Sequence, residues 1–106
     1  MHWEIEEDIL VLCLYFAVSR RAVGPAHPQV IELSNFLRRG CASIAMRTGN
    51  YAAIDPENEN AGLNHPAQQT QNAWNQYHAD LNLLQQECSR IRLEAPDFVQ
   101  QREPSL

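Results

Sequence analysis

The chain has 106 residues, a length that suits one domain with a single modest core. Its composition, 44% hydrophobic and 20% charged, argues against a fully disordered chain. The formal net charge of −5 argues against nucleic-acid binding by overall charge alone.

The charge is unevenly distributed along the sequence. All eight cations are arginines, and five of them lie between residues 19 and 50, where Glu32 is the only acid. That segment carries a charge of +4, whereas the rest of the chain carries −9. Because guanidinium groups bind phosphates and guanine edges through paired hydrogen bonds, the basic middle segment is a candidate DNA-binding region.

The cysteines and the apolar segments indicate a cytoplasmic location without a membrane anchor. Cys13, Cys41 and Cys88 are far apart and odd in number, and their spacing fits neither a zinc motif nor a disulfide framework, so reduced thiols are expected. The apolar run from 9 to 18 is too short to span a bilayer, and the acids before it do not suit a signal peptide.

The first three predicted helices are short. Apolar residues at helical spacing predict a helix over residues 4–18, with acids in its first turns. The segment 24–28 breaks the chain, and a second helix is expected over 28–38, with proline at its first position. Gly40 marks a tight turn before a third helix, which should run from residue 41 or 42 to residue 49 or 50.

A polar loop over residues 54–69 precedes a longer helical pattern. Apolar residues at three- and four-residue steps predict a fourth helix over 67–93, and the proline at 96 ends it. The expected fold is an all-α, small four-helix domain over residues 1–95, followed by a flexible C-terminal tail over 96–106. Its second and third helices would form a helix-turn-helix-like pair.

In a helix-turn-helix, the second helix of the pair enters the major groove. Ile44 would then face the core, while the side chains on or beside the exposed face would be Arg39, Ser43, Arg47 and Asn50. Arginine suits guanine, asparagine suits adenine, and serine suits a phosphate. Two short helices with a turn are also common in small helical domains, so a solvated helix face explains the same pattern.

Three segments also resemble a known family. In order and spacing, WEIEEDILVLCLYF, HPQVIELSNFLRRG and SIAMRTGNYAAIDP are similar to the small N-terminal, DNA-sensing domain of bacterial HNH restriction endonucleases. That domain typically has a tryptophan, an acidic pair, an apolar helix and Pro-x-x-Ile-Glu-Leu-Ser. The motif Arg-x-x-x-Ser-Val-x-Met-Lys-Leu-x-Asn-Phe-x-x-Leu-Asp-Pro follows. The likeness covers residues 3–56 and continues more weakly through 74–80.

The resemblance implies a DNA-reading module in a restriction or defence context. The residues expected to contact DNA on both grounds are Arg39, Ser43, Arg47 and Asn50, with Arg38, Arg20 and Arg21 flanking them. The resemblance alone adds Tyr51, which stands where the family has phenylalanine. Arg47 stands where the family has lysine, which keeps the charge but changes its geometry. Thr48 and Gly49 replace a more helix-favouring pair, so the third helix is expected to end early. Turn chemistry explains Asn50 and Asp55 equally well.

Relatives of that domain include sulfur-binding domains that recognise phosphorothioate-modified DNA. By this analogy His65, Pro66 and Ala67 are a candidate modification pocket, because a phosphorothioate sulfur is less hydrated than oxygen and suits an apolar surface. A plain turn before the fourth helix explains the same three residues. The four histidines lack the spacing of a metal site, so no metal or other cofactor is expected.

The sequence lacks the motifs of an enzyme. It has no nucleophile–base pair, glycine-rich phosphate loop or HNH motif, so a non-catalytic protein is expected. Its expected partners are double-stranded DNA, modified or not, and a nuclease subunit encoded separately. The alternative is an acidic protein-interaction module, either an adaptor or a DNA-mimicking inhibitor, in which the flanks of charge −9 form the working surface.

Overall fold

The computed structural model describes residues 2–61 and 66–103, and this part of the chain is all-helical. It contains six helices, α1 (Ile5–Ala17), α2 (Pro28–Leu37), α3 (Cys41–Ile54), α4 (Gln68–Tyr77), α5 (Leu81–Glu94) and α6 (Asp97–Gln100). The prediction of an all-α fold is therefore confirmed. Among the described residues, none of the helices combines the length and apolar character needed to cross a bilayer.

Helix α1 lies at the centre of the fold. It packs against α2, α3, α4 and α5, and most of its side chains are buried as a result. Tyr15 of α1 sits in an aromatic cluster, with its ring centroid 6.0 Å from that of Tyr51 and 6.4 Å from that of Trp74. A helix surrounded in this way must be apolar on several faces, which accounts for its continuous apolar run.

The predicted fourth helix is two helices. Helix α4 ends at Tyr77, and α5 begins at Leu81 after Asp80, whose carboxylate accepts a hydrogen bond from the Leu83 N–H. This is a typical N-cap interaction, and it starts a new helix within an apolar pattern that continues across the break. The prediction of one long helix over 67–93 was therefore wrong.

Helix α3 is longer than predicted, because Thr48 and Gly49 do not end it. Thr48 is buried, donates a hydrogen bond to the Ala45 carbonyl and accepts one from the Val23 N–H. These contacts stabilise the middle of α3 despite the weak helix propensity of this pair. The helix consequently continues to Ile54, and Asn50 lies within it.

The segment from residue 97 to residue 103 does not form a free tail. The short helix α6 places Val99 in the core, where its side chain is buried. Arg102 then pairs with Glu7 and donates to the Leu37 carbonyl at 2.9 Å. The expectation of a flexible segment is wrong for residues 96–103, and residues 104–106 lie outside the described part.

Candidate functional site

A tight turn joins α2 to α3. Its two arginines, Arg38 and Arg39, are neighbours in sequence but lie in different environments. Arg38 has left-handed backbone angles (φ 54°, ψ 42°), and its N–H donates to the Ser34 carbonyl. The Arg39 N–H donates to the same carbonyl, while the Ser34 hydroxyl donates to the Arg39 carbonyl. The turn is therefore held by its own backbone and by one buried serine.

Arg39 is buried and makes a paired interaction with Glu7. Its Nε lies 2.7 Å from Glu7 Oε2 and its Nη2 lies 3.1 Å from Glu7 Oε1. Nη2 also donates to the His2 carbonyl, and the guanidinium lies over the Trp3 ring, 4.1 Å from its centroid. With only 4% of the residue exposed, the expectation that Arg39 lies on an exposed DNA-facing surface is wrong.

Glu7 is the centre of this cluster, and its single negative charge faces two guanidinium groups. Arg102 donates to both of its carboxylate oxygens, at 2.7 and 3.0 Å, in addition to the two bonds from Arg39. Burial raises the pKa of Glu7, but the hydrogen bonds from Arg102 and Arg39 outweigh burial and lower it to about 2. Glu7 is therefore ionised at neutral pH.

Arg47 is committed to a second internal pair, with Asp8. Its Nε and Nη2 lie 2.8 and 3.1 Å from the two Asp8 oxygens, and its guanidinium lies 4.4 Å from the Trp3 centroid. Asp8 accepts further hydrogen bonds from Gln69 and Thr70. Arg47 therefore links α3 to α1, Asp8 also links α1 to α4, and the Arg47 side chain is mostly enclosed.

Arg20 forms the third pair, with Asp55 at the end of α3. Its Nε and Nη2 lie 2.8 and 2.6 Å from the Asp55 oxygens, and the Tyr15 hydroxyl donates to the same carboxylate at 2.8 Å. Burial raises the pKa of Asp55, but the bonds from Arg20, the Glu57 N–H and Tyr15 lower it overall. The role of Asp55 is thus to anchor the α1–α2 loop.

Tyr51 is also internal. Its side chain is fully buried, and its hydroxyl donates to the Asp8 carbonyl at 2.7 Å. Burial and the nearby Asp8 charge raise its pKa well above the ordinary value, so it is a neutral core residue. Direct contact between Tyr51 and DNA, as predicted, is incompatible with this position.

The remaining predicted DNA contacts lie at or near the surface. Ser43 and Asn50 are half-buried on α3, and Arg21 is exposed, with its Nε donating to the Val18 carbonyl. Arg38 is half-buried and donates through Nη1 to the carbonyls of Gln100 and Arg102. Among the described residues, neither of these two arginines pairs with a carboxylate.

The candidate modification pocket is only partly described. Pro66 is half-buried and Ala67 is exposed, and Ala67 is the N-cap residue of α4. His65 lies outside the described residues. Within the described ranges, no group of three or more histidine, cysteine or acidic side chains is placed to hold a metal ion.

Sequence reasoning missed Trp3, Glu7 and Asp8, which contact Arg39 and Arg47. It also missed Arg102, which shares the carboxylate of Glu7 with Arg39. The acids at the start of α1 were interpreted as partners of the helix dipole alone. A usable signal was present, because an acidic first helix and a basic middle segment in one small domain can neutralise each other. The family-like motif contains the same tryptophan, acids and arginines, so in this chain much of the motif stabilises the fold.

No family model matches the chain, and no curated protein or solved structure is detectably similar to it.

Proposed function

We propose that the protein is a non-catalytic DNA-binding module that contacts duplex DNA through the outward face of α3. The observation that carries this proposal is the charge around that helix. Residues 41–54 include no acid, and the two arginines without carboxylate partners in the described part, Arg21 and Arg38, lie in the two loops before the helix. Glu57 and Glu59 share a depression with Arg21 beyond the end of α3, so the acid-free surface is limited to the helix itself. On a chain of net charge −5, a helix without acids is a more favourable surface for a phosphate backbone than the acidic flanks are.

The proposed contacts follow from where each residue lies along or beside α3. Arg38 immediately precedes the helix, and Ser43 lies in its first turn, where serine and free backbone N–H groups suit a phosphate. Asn50 lies two turns further on and would contact a base edge. Arg21 belongs to the loop whose Val23 N–H donates to Thr48 at 3.1 Å, and it would bind a flanking phosphate. Arg39, Arg47 and Arg20 would hold the helix in place without contacting DNA.

The same face supports the recognition of a modified backbone. Met46 is 75% exposed, and Ala42 is exposed one turn before it. A phosphorothioate sulfur is softer and less hydrated than oxygen, so it would favour contact with a thioether and a methyl group. Helix α4 packs against α3, and Pro66 and Ala67 stand at the start of α4. They would extend the apolar surface.

Electrostatic attraction to DNA would be modest. With two contacting arginines, a plot of the logarithm of the DNA association constant against the logarithm of the salt concentration should have a slope of about −2. That slope is half or less of the one that five free arginines would give. Specific affinity would then depend on the modification or on a nuclease subunit supplied by another chain. We place this activity in the cytoplasm, in a restriction or defence system.

The test is fluorescence anisotropy with one short duplex in plain, cytosine-methylated and phosphorothioate forms, at low and near-physiological salt. The decisive variant is Met46→Glu, which adds a carboxylate to the proposed face at an exposed helical position. Leu93→Glu is the matched control, because Leu93 is 86% exposed on α5 and takes the same change. We expect at least tenfold weaker binding for Met46→Glu and unchanged binding for Leu93→Glu. Absence of binding to all three duplexes at low salt would refute the proposal.

The second candidate is the acidic protein-interaction module, as an adaptor or a DNA-mimicking inhibitor. It is supported by one depression beside α5 and α6, which is lined by the carboxylates of Glu6, Glu94 and Asp97 and by Arg90, the partner of Glu94. Leu93, almost fully exposed on α5, would supply an apolar contact next to them. A basic partner protein would bind here, and Leu93→Glu, neutral in the DNA assay, would then be the damaging variant.

A further inference from the structure

Two of the three cysteines meet across the interface between α1 and α5. The Sγ of Cys88 lies 3.6 Å from the Ile9 carbonyl oxygen. In an α-helix that oxygen accepts the N–H of the residue four positions later, which is Cys13. Cys88 therefore lies against the turn of α1 that carries Cys13, and both cysteines line the same cleft between the packed helices α1 and α5.

The pair opens onto a mainly apolar cleft. Cys13 and Cys88 both line it, with Leu10 and Leu14 on the α1 side and Arg92 on the α5 side. Cys13 is half-buried, whereas only 7% of Cys88 is exposed. A small molecule in the cleft can therefore reach Cys13 first, and Cys88 stands behind it.

We propose that Cys13 and Cys88 form a redox-active dithiol site, which small-molecule disulfides oxidise to an intramolecular disulfide between α1 and α5. Cys13 is the attacking residue, and Cys88 resolves the intermediate. Such reversible dithiols are compatible with a reducing compartment, where lasting disulfides are rare.

The local environment divides these roles between the two thiols. The neighbouring Cys88 thiol and the charge of Arg92 lower the pKa of Cys13, whereas burial opposes this. The neighbouring Cys13 and burial raise the pKa of Cys88. Because the thiolate is the nucleophile and Cys13 is the more exposed of the two thiols, Cys13 reacts first.

The reaction balances as a thiol–disulfide exchange. The Cys13 thiolate attacks one sulfur of the small disulfide, breaks its S–S bond and releases one small thiol, which takes up a proton. Cys88 then loses its proton and attacks the Cys13 sulfur, which displaces the second small thiol. The protein loses two electrons and two protons, and the small disulfide is reduced to two thiols.

The experiment treats the full chain with oxidised glutathione and follows its intact mass. We expect loss of two hydrogen atoms without a lasting adduct, and reversal by a dithiol reductant. Proteolysis of the oxidised protein should yield a linked fragment pair containing Cys13 and Cys88. A lasting glutathione adduct on Cys13 in the unmodified sequence would overturn the proposal, because it would show that Cys88 cannot resolve it.

Three single variants separate the roles. Cys88→Ala should trap glutathione on Cys13, whereas Cys13→Ala should leave Cys88 unmodified over the same period. Cys41→Ser is the matched control, since Cys41 is a half-buried thiol at the start of α3, and it should oxidise like the unmodified sequence. If Cys41→Ser instead abolishes oxidation, the reactive site is Cys41 and the proposal is wrong. Fragment mapping of the unmodified sequence does not depend on whether a variant folds.

Discussion

Replacing Glu7 by glutamine is the sharpest test of the internal charge network. The substitution keeps the size of the side chain but removes the charge that faces two guanidinium groups. Glu7 is fully buried and accepts four hydrogen bonds from Arg39 and Arg102, at 2.7 to 3.1 Å. An amide offers only one acceptor oxygen, and its NH₂ group would point at one of the cations.

The expected cost is large for a domain of this size. Removing one partner of a buried ion pair typically costs about 3–5 kcal/mol, because the opposite charge stays buried without compensation. The pKa of Glu7, lowered from 4.5 to about 2, corresponds to about 3 kcal/mol of preference for the ionised form and agrees with that range. Small domains have a free energy of unfolding of about 5–15 kcal/mol, so Glu7→Gln should remove a substantial fraction of it.

Glu32→Gln is the matched control. Glu32 pairs with Arg92 through two 2.8 Å hydrogen bonds, but the two side chains are 59% and 38% exposed. An exposed pair of this kind should contribute about 1 kcal/mol or less. Urea unfolding followed by circular dichroism measures both variants. Equal midpoints for the two variants would refute the reasoning, because burial would then make no difference to the contribution of an ion pair to the free energy of unfolding.

Three further predictions concern other parts of the network and core. Because the pKa of Glu7 is lowered, its contribution to stability is complete above pH 4.5 and disappears as the pH falls towards 2. Urea midpoints should therefore fall over that window. Glu7→Gln should flatten the dependence of the urea midpoint on pH. Tyr15→Phe removes the 2.8 Å hydrogen bond to Asp55 and should cost about 2 kcal/mol in urea unfolding, while an unchanged midpoint would contradict a role for that bond. Val99→Ala should also cost about 2 kcal/mol if α6 belongs to the core, whereas Leu93→Ala on the exposed face should cost about 0.5 kcal/mol or less.

These predictions change how DNA-binding mutants should be interpreted. If Arg39 and Arg47 contacted DNA directly, replacing either one by alanine would weaken binding and leave the fold intact. Because each arginine holds a buried carboxylate, either change should lower stability first. A loss of DNA binding in these variants would therefore be informative only alongside an unfolding curve, which is why the proposed test uses Met46.

The local features of the sequence were sufficient to predict the helical class and the first three helix starts. Proline at position 28 and the glycine before Cys41 act within a few residues, so their effect can be read from the sequence alone. The break at Asp80 was missed although its cap is equally local. The apolar repeat continues across the break, and periodicity masked the capping residue.

The sequence by itself determined that this protein is helical, carries only arginine as its cation and has a basic middle between acidic flanks. Only the tertiary structure decided which arginines remain available. Arg39 pairs with a carboxylate 32 positions away, and Arg102 reaches the same carboxylate across 95 positions. Local patterns contain no information about such contacts. The packing of α1 in the centre brings these charges together, since a buried charge must find a partner of opposite sign.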